Sequence, residues 1–210
     1  MAMSTPPSAA PVSPPIFAEP TPLGLLGLAI GCAALLPIAF GKVMTPDALR
    51  TAAWFCLFFG GGGQLIAGLM ALANKNLLGG TLFTTFSFNW FMNFWALSSM
   101  SEGKMVDPTI VLSVDICFLI IFIALMFAFG FFSKLLFVFL LDIVLLYVFR
   151  IAKDVFAAPQ LGAAIAWCTV ALAAIALWLA FAILVNGTAG RVIFKVPGPL
   201  FTPSSGAPNA

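Results

Sequence analysis

Six long apolar runs dominate the chain, and their length settles which solvent surrounds them. The runs extend roughly over Pro22 to Phe40, Ala48 to Ala73, Gly79 to Met100, Thr109 to Phe132, Lys134 to Ala152, and Leu161 to Val185. About 20 apolar residues of α-helix cross a bilayer core, so each run is long enough for one span. None alternates apolar with polar residues, which excludes a membrane barrel. Only 8% of residues are charged, against roughly 25% in soluble domains. The expected fold is all-α: a polytopic membrane protein whose single domain, residues 21–190, is a six-transmembrane-helix bundle.

The connections are short: Gly41 to Asp47, Asn74 to Leu78, Ser101 to Pro108, a tight joint near Ser133, and Lys153 to Gln160. Short connections imply antiparallel neighbours in an up-and-down bundle. Residues 1–20 are rich in Pro, Ser and Ala and contain no Lys or Arg. They lack the basic start of a signal peptide and the apolar content for a core, so a disordered N-terminal tail is expected. Residues 191–210, with prolines at 197, 199, 203 and 208, are expected to form a C-terminal tail, largely disordered. An even number of spans puts both tails on one side. Lys75, Lys134, Arg191 and Lys195 fall on the tail side and Lys42, Arg50, Lys104, Arg150 and Lys153 on the other, a balance that leaves orientation open.

Several classes of chemistry are excluded. A net charge of +2 offers no nucleic-acid surface. Cys32, Cys56, Cys117 and Cys168 sit singly in different runs, and the chain has no His, so neither a metal site nor a disulfide framework is expected. Without a nucleophile–base arrangement or a phosphate-binding loop, no enzyme activity and no cofactor are expected.

Polar residues inside the runs are the functional candidates. Thr81, Thr85, Asn89 and Asn93 recur every four residues along one ridge of the third run. Lipid cannot satisfy them, so they serve either as a path wall or as interhelical glue. Gly24, Gly27 and Gly31 share one face of the first run, and Gly60 to Gly63 precede Gln64 in the second. The glycine run marks a kink, a close crossing or a widened lumen. Around Glu19-Pro20-Thr21-Pro22-Leu23-Gly24, Thr21 is the expected N-cap. The amides near Leu23 and Gly24 either finish that cap or hold a carboxylate. Asp115 and Asp142 are acidic residues placed within apolar runs. Ionisable groups at that depth are functional suspects, so both are candidates for proton coupling, the alternative being a buried pair with Lys134, Arg150 or another helix. An ionised Asp142 facing a path would repel an anion.

Three stretches carry a family resemblance. Glu19 to Leu25, EPTPLGL, resembles the signature N-P-A-P-L-G-L of the acetate uptake transporter family, also called the succinate-acetate permeases. Phe59 to Gly68, FGGGGQLIAG, resembles its aromatic-Gly-Gly-x-x-Gln-x-x-Ala-Gly pattern, and Gly79 to Trp90 resembles its third span. The resemblance implies a six-helix protomer, a homo-oligomer of six in the inner membrane with both termini cytoplasmic, and passage of acetate and other small carboxylates such as succinate, formate and lactate. It implies a path past Pro20, Thr21, Leu23 and Gly24 and along Thr81, Thr85 and Asn89, with Gln64 adding a hydrogen bond. It also implies a constriction at Leu28, Phe86 and Asp142. Glu19, Thr21, Ala71 and Asp142 depart from the family's residues at their positions. Alternatives that the residues leave open are a channel for small neutral solutes such as urea or ammonia, and a non-transporting membrane scaffold.

Overall fold

The computed structural model describes residues 14–202; the disorder expected of residues 1–13 and 203–210 falls outside that range. The described residues form six long helices and no strand. The first helix is Thr21–Ala39, the second Pro46–Ala73, the third Leu77–Ser101, the fourth Pro108–Gly130, the fifth Lys134–Val155 and the sixth Leu161–Ala189. Five of them are long and apolar enough to cross a membrane. The remaining helix is the third, whose apolar residues are diluted by Gly, Thr, Ser and Asn. With 25 residues it still spans the roughly 30 Å of a hydrocarbon core. This is the architecture of a multi-pass membrane protein.

The second, third and fourth helices begin one or two residues before their hydropathy boundaries because caps, rather than apolar content, set their starts. Thr45 Oγ1 accepts from the Ala48 amide at 3.2 Å, and Asn76 Oδ1 from the Gly79 amide at 2.9 Å. Asp107 Oδ1 accepts from the Thr109 and Ile110 amides at 2.9 and 3.1 Å. The expected cap at Thr21 is corrected. The N-cap is Pro20, which offers no side-chain acceptor, and Thr21 is already helical. Its amide donates to Glu19 Oε1 at 3.0 Å and its hydroxyl to the same oxygen, so a carboxylate of the chain itself neutralises this helix start.

The helices form a ring in sequence order. Each packs on the next, and the sixth returns against the first through one of the most extensive contacts in the molecule. The seam between the third and fourth is the sparsest of the ring. The first and second helices approach closely because Gly27 has no side chain: a Cβ there would overlap the Phe59 carbonyl oxygen. The second helix is π-helical over Cys56–Gly63, CLFFGGGG, which is what the glycine run does to the span. A single π turn inside an α-helix widens the backbone and recurs at functional sites, and four glycines remove the side chains that would resist the wider winding. Gly60 leaves the space that the Trp90 ring occupies, and Gly31 on the first helix borders the same ring.

Residues 191–202, counted from sequence as part of a tail, are seated on the bundle. Asn186 Oδ1 accepts from the Ile193 and Phe194 amides at 2.8 and 3.0 Å. Trp178 Nε1 donates to the Lys195 carbonyl at 3.0 Å and Ser133 Oγ to the Pro197 carbonyl at 2.7 Å. The Leu200 amide donates to the Gly130 carbonyl at 2.8 Å, and the Phe201 ring packs among Phe127, Phe131 and Phe137. Proline content suggested a free tail, but Phe194 and Phe201 anchor the segment as apolar side chains anchor any loop.

Close approach at Gly27 generates a stability prediction. Gly27→Leu should cost about 1–3 kcal/mol by overpacking, read as earlier thermal unfolding in detergent. Gly162→Leu, where a Cβ meets nothing within 4 Å, should unfold with the wild type.

Candidate functional site

Two cavities enter the ring from opposite ends. The tail-end cavity, about 420 Å³, is walled by Glu19, Thr21, Leu25, Phe83, Leu136 and Leu179, with Val196 of the seated C-terminal segment at its rim. The far-end cavity, about 190 Å³, includes Cys32, Phe86, Trp90, Ile143, Tyr147 and Arg150 in its wall. About six waters would fill that volume at ~30 Å³ each, which is ample for a molecule of four heavy atoms.

Only a thin layer separates them. On the first helix the wall passes from Leu25 to Cys32 and on the third from Phe83 to Phe86, which at 1.5 Å per residue is a layer about 5–10 Å thick. Leu28, Leu140 and Ala176 lie between the cavities along their own helices and are buried. An aromatic column borders the far-end cavity. Phe86 meets Phe122 edge-on at 5.2 Å, and Phe122 stacks on Tyr147 at 5.5 Å. Phe118 stacks on both Phe122 and Tyr147.

Polar groups gather on the far-end side of this layer. Asp115 on the fourth helix, only 3% exposed, accepts through Oδ2 from Arg150 Nε on the fifth at 2.9 Å. Of the partners that the sequence allowed for Asp115, the structure selects Arg150. The guanidinium carbon sits 5.5 Å from the Tyr147 ring centroid. Asn89 and Asn93 line the far-end cavity and also a lateral cavity of about 350 Å³ in the seam between the third and fourth helices, where Asp115 and Arg150 reappear.

The expected site residues divide. Thr21 lines the tail-end cavity, while Pro20 and Gly24 are buried beside it and Leu23 is exposed. The amides expected to be free for an anion are occupied: those of Leu23 and Gly24 donate to the Pro20 carbonyl at 3.0 and 3.3 Å. Leu28 and Phe86 are both buried in the core near the dividing layer. Asn89 faces the far-end cavity, whereas Thr81 and Thr85 line none of these cavities. A four-residue step turns a helix about 400°, so a row at that spacing drifts by about 40° per step and leaves one wall for another.

Asp142 lines neither end cavity. It lies two residues beyond Leu140, about 200° around the helix, and its Oδ2 is a buried atom without a hydrogen-bond partner among the described residues. Gln64 is fully buried just after the π-helical stretch, and neither its Oε1 nor its Nε2 has a hydrogen-bond partner among the described residues.

A solved structure superposes on this arrangement. The chain shares its fold with the bacterial acetate channel SatP. The likeness covers 86% of this chain and 99% of SatP, at a TM-score of 0.76 and 20% sequence identity. No family model and no curated protein matches the sequence. The SatP likeness extends over essentially the whole six-helix ring and agrees with the resemblance carried by the three motifs. Trp90, Phe122 and Tyr147 were not among the residues singled out from sequence, and Arg150 entered there only as a loop charge and as one of the partners open to the buried aspartates. The signal was present: Ile143, Tyr147 and Arg150 follow one another at four- and three-residue steps and so share a helix face.

Gln64 supplies the prediction of this site. A buried amide without partners carries a desolvation cost of about 1–3 kcal/mol. Gln64→Met keeps the volume, removes that cost and should raise the thermal stability of the detergent-solubilised protein; a fall would mean that the amide is satisfied by ordered water.

Proposed function

We propose that the chain is a passive membrane passage for acetate and other small carboxylates, succinate, formate and lactate among them. One observation carries this reading: two cavities reach toward each other from opposite ends of one helical ring and stop at an apolar layer about 5–10 Å thick. Such a layer gates by excluding water and opens with small side-chain movements. The likeness to SatP, an acetate channel, supports the substrate class. The N–H donors of Arg150, paired to Asp115 at the far-end cavity, favour a carboxylate, which only accepts, over a neutral solute. The family resemblance further implies a hexamer with one path per protomer.

Leu28 and Phe86 act as the constriction, with Leu140 as their neighbour on the fifth helix. The substrate crosses with its methyl group against these side chains and its carboxylate directed at polar groups on either side. Asp142, about 200° around the fifth helix from Leu140, stays off the path, and transport needs no proton relay through it.

Acetate uptake into proteoliposomes tests the reading. Flux should follow the acetate gradient, be competed by formate and lactate but not by urea, and show no accumulation when an inward proton gradient is applied. Asp142→Asn should conduct within about twofold of the wild type, as a residue outside the path should. Accumulation driven by the proton gradient and lost in Asp142→Asn would replace a channel with a symporter, and absence of flux above empty vesicles would end the proposal. In the same assay Leu28→Ala, which removes about three side-chain carbons from the dividing layer and leaves a cavity, should admit succinate several-fold faster relative to acetate.

A further inference from the structure

The far-end cavity collects more hydrogen-bond donors than its surroundings use. Trp90 is 3% and Tyr147 1% exposed, both line this cavity, and neither the indole Nε1 nor the phenol oxygen has a partner among the described residues. Buried donors of this kind are ordinarily paired, and an unpaired one is costly. Two of them share the cavity with a guanidinium and with the amide side chains of Asn89 and Asn93.

Arg150 is arranged to present charge rather than to spend it. A guanidinium carries five N–H donors in a rigid fork. Asp115 takes the Nε donor at 2.9 Å, and among the described residues the two terminal nitrogens have no hydrogen-bond partner. Asp115 and the Tyr147 ring thus hold the group on two sides while the cavity meets the rest. A fork of N–H groups matches the two oxygens of a carboxylate, and such charge-assisted bonds are about twice as strong as neutral ones.

We infer that Arg150, Trp90 and Tyr147 form a carboxylate-binding site at the far end of the ring, positioned by Asp115 as a built-in counter-anion. The inference rests on the passage reading for its ligand class and adds the residues that select it. Asp115 has a second consequence. An unpaired cation there would hold an anion too long, and conduction requires binding weak enough to release. With Asp115 already paired to Arg150, an arriving carboxylate meets a nearly neutral pair with donors to spare. The rival reading is an ion pair that only joins the fourth and fifth helices.

Binding and flux are measured separately to distinguish the two. Saturation-transfer NMR of the acetate methyl group on the detergent-purified full chain reads binding, with size exclusion as a check on folding. Arg150→Gln should weaken acetate binding at least tenfold. Because that change orphans a buried carboxylate, the double variant Asp115→Asn with Arg150→Gln removes both charges and should be equally weak. Asp115→Asn alone should bind acetate several-fold tighter and conduct more slowly at saturating acetate. Trp90→Phe and Tyr147→Phe, which delete one donor each, should each weaken binding a few-fold. A wild type that gives no acetate signal, or an Arg150→Gln protein that binds as the wild type does, overturns the site. Flux that persists in either case leaves the passage reading standing. A wild type that binds through Arg150 but carries no flux in vesicles upholds the site and overturns the passage.

Discussion

Lipid hydrocarbon neither donates nor accepts hydrogen bonds, so each backbone amide of a spanning segment must be closed within a helix and each polar side chain must turn to protein or to an internal cavity. The third helix shows how this shapes the molecule. It is the least apolar of the six, and its Asn89 and Asn93 face the far-end and lateral cavities. The same constraint places Asp115 against Arg150 across two helices, since either charge alone at that depth would be far costlier than the pair. Polar residues therefore mark the inside of the ring, and the inside is where two cavities approach each other.

Close backbone packing makes that interior possible. Gly27 admits the Phe59 carbonyl, and Gly31 with Gly60 leaves the space in which the Trp90 ring lies. The π-helical winding of Cys56–Gly63 belongs to the same device, because a run of side chains larger than glycine would clash where the second helix crosses the first and third. Seated there, Trp90 contributes its ring to the far-end cavity. Glycines that read as a packing motif thus position a donor on the path side of the bundle.

Much of the fold was legible because hydropathy and short connections leave few arrangements for six helices. The spans, their order and the unusual character of the glycine run were all readable. Boundaries missed by a residue or two where Thr45, Asn76 and Asp107 cap helices, since a cap answers to a few backbone amides and not to apolar content. The site was less legible. Thr81, Thr85, Asn89 and Asn93 look equivalent in sequence, yet the drift of a four-residue row around the helix separates the first two from the last two. Arg150 counted with the loop charges when topology was considered, although it shares a face with Tyr147 and turns inward to Asp115. Residues 191–202 looked like a tail until Asn186, Trp178 and Ser133 were seen to bind their backbone.

The sequence by itself determined that this chain lives in a membrane, that it crosses as helices, and that its glycines gather in the first two spans. These are properties of composition and local period, which a chain carries before it folds. Only the tertiary structure decided which polar residues meet. Asp115 found Arg150, and Trp90 met Tyr147 at one cavity. Each of these outcomes depends on the rotation of one helix against another. That rotation is set by the sum of many apolar contacts around the ring, which no single stretch of sequence contains.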